Sequence, residues 1–157
     1  MEKATFGAGC FWGVEVQFAN IPGVTATAVG YEGGKTQAPS YKDVCTDSTG
    51  HAEVVEVDFD PDRVSYSTLL DAFFSLHNPT QLNRQGPDWG TQYRSAIFYH
   101  SPEQKEVAEA KIAELTAAGK FAPKKIVTQV TPAQTFWRAE DYHQRYLEKR
   151  GLASCHI

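Results

Sequence analysis

The chain has 157 residues, 41% of them hydrophobic, and a formal net charge of −4. That length fits one domain with an ordinary buried core. The acidic balance argues against a nucleic-acid partner, and no run of about 18 apolar residues marks a membrane span. The only dense cationic patch, "KFAPKK" around Lys124 and Lys125, reads as a solvated loop. The first residues, "MEKATFGAGCFWG", carry Glu2 and no long apolar segment. They do not read as a signal peptide, so the expected location is cytoplasmic.

In chain order, "KATFGAG" reads as a short strand running into a glycine-rich turn. "GVEVQFAN" follows as a helix that ends before "IPG". "VTATAVGYEGG" has the alternation and β-branching of a strand closed by glycines. The polar stretch "KTQAPSYKDVCTDSTG" reads as a loop leading to "HAEVVEVDFDP", the clearest alternating strand in the chain. "SYSTLLDAFFSLH" places apolar residues at helical spacing behind a serine cap. "NPTQLNRQGPDWGTQYR" is long for a loop, and long ordered loops are often functional. "SAIFYH" is a short strand, and "SPEQKEVAEAKIAELTAAG" a helix with Ser101 as its cap and Pro102 in its first turn. "KIVTQV" gives a last strand, "AEDYHQRYLEK" a last helix, and "RGLASCHI" a glycine-hinged tail.

The expected order is therefore β-α-β-β-α-β-α-β-α. Its first six elements match the split βαβ arrangement of ferredoxin-like sandwiches, an α/β (α+β) fold with an antiparallel or mixed sheet. An extra C-terminal helix and a flexible tail over 150–157 complete a single domain, 1–157. Alternation of Val55, Val57 and Phe59 against Val54, Glu56 and Asp58 predicts a sheet with one covered face.

Cys10, Cys45 and Cys155 cannot all pair within one chain. A sparse, odd count fits a reducing compartment, where a disulfide is transient and catalytic rather than architectural. Cys10 lies where a strand turns into a helix, so the open N–H groups of that helix point toward its sulfur and can depress its pKa from about 8.5. Gly9 and Gly13 allow backbone or substrate to approach, and Phe11 and Trp12 supply apolar walls. Taken locally, Cys10 fits either a nucleophile in an apolar cage or a small buried hydrophobe in a tight turn.

The stretch "GCFWG", followed by "VGYEGG", "TGHAEVVEVDFDP", "GTQYRSAIF" and "FWRAEDYHQRYL", resembles the A-type peptide methionine sulfoxide reductases, which act on the S epimer of the sulfoxide. The blocks keep the family order and cover most of the chain. The resemblance implies Cys10 as the nucleophile and Glu53 in "GHAE" as the acid, a role that needs burial to hold its proton. Without the resemblance, Glu53 would read as an exposed strand-end residue. If buried, its place would be a sheet edge beside a cavity. Tyr41 and Tyr93 correspond to family tyrosines whose hydroxyls hold the sulfoxide oxygen, although either alone would read as a packing residue. Phe11 and Trp12 would cage the substrate methyl group through sulfur–aromatic contacts. Asp88 in "GPDWGTQ" matches a family aspartate at the pocket rim, for binding or orientation. Pro87 and Trp89 flank it where relatives often carry other residues.

The resemblance also implies a route for the oxidised thiol. Attack would leave Cys10 as a sulfenic acid, which condenses with a nearby thiol. Cys155, in a tail of the kind where this family keeps resolving cysteines, is the expected partner. From Gly151 to Cys155 the chain can reach about 15 Å. The disulfide would be reduced by thioredoxin, with no metal or other cofactor. Substrates would be oxidised proteins, peptides and free methionine sulfoxide, and the protein is expected to be a monomer. Cys45 reads as a bystander rather than a backup resolver, His51 as a surface residue rather than a contact supporting Glu53, and His143 as structural.

Other readings differ in what they require. A cysteine hydrolase would pair Cys10 with His51 and has no use for a tail cysteine. A thiol peroxidase would share the sulfenic acid and needs an arginine such as Arg94 beside the thiol. A noncatalytic module binding oxidised methionine needs no resolving cysteine. A zinc site lacks paired ligand spacing such as C-x₂-C.

Overall fold

The structure is a computed structural model that describes residues 1–149. Strand β1 (Glu2–Ala8) turns at Gly9–Cys10 into helix α1 (Phe11–Ala19), and β2 (Val24–Glu32) follows. A short helix α2 (Tyr41–Cys45) precedes β3 (Ala52–Phe59) and α3 (Tyr66–Leu76). A two-stranded hairpin, β4 (Arg84–Gln85) and β5 (Asp88–Trp89), and a 3₁₀ turn at Thr91–Tyr93 lead to β6 (Ser95–Tyr99). Helix α4 (Pro102–Ala117), β7 (Gln129–Pro132), β8 (Trp137–Arg138), a 3₁₀ turn at Asp141–His143 and α5 (Tyr146–Lys149) complete the described chain.

The main sheet runs β7-β6-β1-β3-β2-β8. In its four central strands, β6-β1-β3-β2, each strand is antiparallel to its neighbours, which is the ferredoxin-like order of the expected six-element unit. Strand β7 adds in parallel to β6, and β8 adds antiparallel to β2. The result is a mixed α/β fold with a mostly antiparallel sheet.

Periodicity explains the main core. Phe11, Val14 and Phe18 recur at helical spacing and bury one face of α1. Phe6 of β1 stacks between Phe18 and Phe73, at centroid distances of 4.9 and 5.1 Å. Ser65 caps α3 by accepting the N–H of Thr68, and Ser101 caps α4 by accepting that of Gln104. Each such cap is worth about 1 kcal/mol.

Four local differences from the sequence reading have physical causes. The sheet's second face is also covered at one end, where Ala52, Val54, Ala96 and Phe98 pack beneath Ala133 and Phe136. Lys3 bridges Glu56 and Asp58 on the polar remainder of that face. The last strand begins at Gln129, because Val127 donates its N–H to Pro79 outside the sheet before pairing with β6 starts. The loop carrying Tyr41 contains α2, closed by a Ser40–Asp43 capping box.

The expected last helix is instead a 3₁₀ turn and the four-residue α5. Arg145 sits at φ +55°, outside helical space, and gives its N–H to Glu15. Gln144 turns its amide onto both backbone groups of Val29. Tertiary hydrogen bonds here replace a helix ladder. The tail 150–157, with Cys155, lies outside the described residues.

Candidate active site

Cys10 is the N-cap residue of α1 and is partly exposed. The turn that sets it there requires glycine: Gly9 has φ +95°, and a Cβ on it would meet the Gln85 side chain at 2.9 Å. The sulfur therefore sits at the positive end of a helix macrodipole.

Glu53 lies 1% exposed on β3. The edge placement expected for it is overturned, since β3 is an interior strand between β1 and β2 and the register sets Glu53 opposite Tyr31. Its Oε1 accepts the backbone N–H of Phe11 at 3.3 Å. The first amide of α1 thus ties the buried carboxyl group to the residue that follows Cys10.

Tyr41 opens α2 and Tyr93 closes the 3₁₀ turn before β6; both are half-buried. Burial above all pushes both hydroxyls well above the usual tyrosine range. Each hydroxyl keeps its proton at neutral pH and remains a donor.

Phe11 is buried, and its ring lies 5.8 Å from Tyr31 and 6.3 Å from Tyr41. Trp12 is half-buried between Tyr146, stacked at 3.9 Å, and the Tyr41–His143 pair. Its indole N–H donates to Nδ1 of His143 at 2.9 Å. That bond places the His143 proton on Nε2, which is buried without a hydrogen-bond partner. Burial also lowers the pKa of His143, so the ring is neutral.

Asp88, on β5, lines with Cys10 a cavity of about 350 Å³. Trp89 beside it is 69% exposed, with the Arg84 guanidinium 4.4 Å above its ring. Cys45 is exposed at the end of α2, and Cys155 lies outside the described residues. Arg94 gives its guanidinium to Gln129 and to the carbonyl of Thr91.

Three supporting residues carried no assignment in the sequence or a wrong one. Glu140 accepts from the Tyr31 hydroxyl and from the N–H of Tyr41, both at 3.0 Å. Burial opposes its charge, yet these bonds and its own N–H hold its carboxyl below the usual range. Glu140 falls within "FWRAEDYHQRYL", but nothing about an acid at that spacing announces two partners from β2 and α2. Glu15, 1% exposed, joins α1 to Thr27 and Arg145. His51 is 2% exposed rather than on the surface. It accepts the Gly34 N–H at Nδ1, so its Nε2–H donates to the carbonyl of Thr36. His51 therefore shapes the loop that carries Tyr41.

Among the described residues no group of three or more His, Cys, Asp or Glu side chains could hold a metal ion. No helix there is long and apolar enough to cross a membrane.

A cysteine at a helix N-terminus, with a buried carboxyl group tied to the next residue's amide, is an arrangement that suits thiol chemistry. The family described as peptide methionine sulfoxide reductase matches residues 2–157. Peptide methionine sulfoxide reductase MsrA of Acidobacterium capsulatum is 71% identical over 157 residues, covering all of both chains. Mxr1 of Saccharomyces cerevisiae in its reduced form is 38% identical with a TM-score of 0.86, covering 96% of this chain and 86% of that one. The same yeast protein in complex with Trx2 is 26% identical with a TM-score of 0.62, covering 92% and 84%. The chain belongs to the peptide methionine sulfoxide reductase family and is a methionine sulfoxide reductase.

Proposed function

We propose that Cys10 is the nucleophile that reduces methionine-S-sulfoxide, in polypeptides and as the free amino acid. The observation that carries this is the placement of Cys10 as the cap of α1, tied through the Phe11 amide to the buried Glu53.

The Cys10 thiolate attacks the sulfoxide sulfur, and the oxygen gains negative charge and proton affinity. Burial favours the neutral form of Glu53 over its carboxylate, so Glu53 supplies the proton. Tyr41 and Tyr93, both protonated, donate to the oxygen as charge develops on it. Phe11 and Trp12 hold the methyl group, with Asp88 orienting the substrate at the rim. The S–O bond of the substrate breaks as oxygen passes to Cys10. The products are one thioether and one sulfenic acid, with two electrons moving from the cysteine to the substrate sulfur.

The Cys155 thiol then displaces water from the sulfenic acid and forms a Cys10–Cys155 disulfide. Thioredoxin, the reductant suggested by the complex of the yeast relative, returns both thiols by disulfide exchange. Its two cysteines are oxidised in turn, so no electron is left over. The site requires no metal.

The test is steady-state reduction of separate S and R epimers of a methionine sulfoxide peptide, with dithiothreitol as reductant. Methionine from the S epimer alone, lost in Cys10→Ser, is the expected result. Methionine formed equally from both epimers, or retained in Cys10→Ser, would overturn the assignment.

A further inference from the structure

The cavity that Cys10 shares with Asp88 does not include Phe11, Trp12, Tyr41 or Tyr93 among its walls. It runs along a different face of α1. Cys10, Gly13 and Gln17 recur at helical spacing and form one wall. The end of α3, at Ser75 and Leu76, and the hairpin residue Gln85 form the other.

We propose that this groove receives the extended main chain next to the oxidised methionine of a polypeptide substrate. The inference rests on Cys10 as the nucleophile, and four observations commit the groove to that occupant.

Continuity is the first. A substrate sulfur held at Cys10 belongs to a chain that must leave the site, and the groove opens at Cys10 itself. Length is the second. Gln17 lies seven positions along the helix from Cys10, about 10 Å at ~1.5 Å per residue, which accommodates about three extended residues.

The third observation is chemistry. Gln17 is exposed and offers an amide donor and acceptor, as a peptide backbone requires. Ser75 donates to the carbonyl of Ala72 and keeps its own lone pairs for a backbone N–H. Gly13 presents no side chain, so a main chain can lie close to the helix.

The fourth is rigidity. The Gln85 amide is fixed by two hydrogen bonds to the backbone of Asn78, at 2.9 and 2.8 Å. Its neighbour Gly86 donates to Gln81 at 2.7 Å. A wall already held in place costs little entropy when a peptide binds.

Because these contacts are to main-chain groups, the groove distinguishes polypeptides from the free amino acid without demanding a particular sequence. It supplies binding energy remote from the reacting sulfur.

The test compares two substrates in the full chain, with dithiothreitol as reductant: a hexapeptide with methionine-S-sulfoxide at its centre, and N-acetyl-methionine-S-sulfoxide methylamide. Gln17→Trp fills the groove and Gln17→Ala trims it, both at an exposed position. The ratio of kcat/KM for the hexapeptide to that for the small substrate is expected to fall about tenfold in Gln17→Trp and about two- to threefold in Gln17→Ala, through KM. An unchanged ratio in both variants overturns the proposal. A defect that appears only when thioredoxin replaces dithiothreitol overturns it too and assigns the groove to the reductant. Failure of the unaltered protein on both substrates is a separate result: it removes the Cys10 reading and the groove with it.

Discussion

Glu53 on the central strand β3 accepts the backbone N–H of Phe11, the residue that follows Cys10, at 3.3 Å. The two groups assigned to proton donation and attack are therefore held by one amide rather than by a flexible loop. A fixed distance between acid and nucleophile is what a concerted attack and protonation need.

Glu53→Gln separates the two duties of that carboxyl group. The amide oxygen can still accept the Phe11 N–H, so folding should be little affected. The proton is lost, and the rate of methionine formation in a single turnover is expected to fall about 10²- to 10⁴-fold. A rate within a few-fold of wild type would show that another group donates the proton.

His143 fixes Trp12 through the indole N–H. His143→Phe keeps an aromatic ring among Phe11, Trp12 and Tyr41 but leaves that donor without its acceptor. A loss of about 1–3 kcal/mol in urea unfolding is expected, with KM for the sulfoxide raised more than kcat is lowered. His143→Gln, which restores an acceptor, should recover part of the KM. No difference in KM between the two variants would show that the orientation of Trp12 does not matter.

Gly34 packs against the histidine that shapes the Tyr41 loop. A Cβ there would lie 2.4 Å from the His51 backbone nitrogen and 2.5 Å from the Thr49 oxygen. Gly34→Ala must move backbone, with an expected loss of about 1–3 kcal/mol and a lower melting temperature. Unaltered melting would mean that the loop yields without cost.

Glu32 gives a pH dependence of defined sign. It is 1% exposed, and burial raises its carboxyl to about 7, against the Gln134 N–H that favours the anion. The unfolded chain releases this proton near 4.5, so the folded state binds more protons between those values and loses stability as pH rises through them. Glu32→Gln removes the penalty. Melting at pH 8 should favour the variant by at most about 3 kcal/mol, and the advantage should vanish near pH 4. A constant difference at both pH values would contradict this account.

The sequence carried the long elements because their signals are local. Phe11, Val14 and Phe18 mark α1 by spacing alone, and Ser101–Pro102 marks the start of α4. Cys10 was legible as the turn from strand to helix, although α1 starts at Phe11, two residues before the Gly13 start that the sequence suggested. What escaped depends on distant partners. Glu53 looks like a strand-end acid until β2 closes over it, and His51 looks exposed until the Gly34 loop wraps its ring. The helical pattern after Ala139 is broken by Glu15, 130 residues earlier, which takes the Arg145 N–H. Two-residue strands such as β8 leave no periodicity to read.

The most direct test is one turnover without external reductant, measuring methionine formed and thiols lost in wild type and in Cys155→Ser. The expected result for the S epimer is about one methionine and two thiols lost per wild-type chain, and about one methionine without a Cys10–Cys155 disulfide in Cys155→Ser. Absence of methionine from either epimer would contradict attack by Cys10 on the sulfoxide sulfur. A full Cys10 disulfide in Cys155→Ser would move resolution away from the tail, to Cys45.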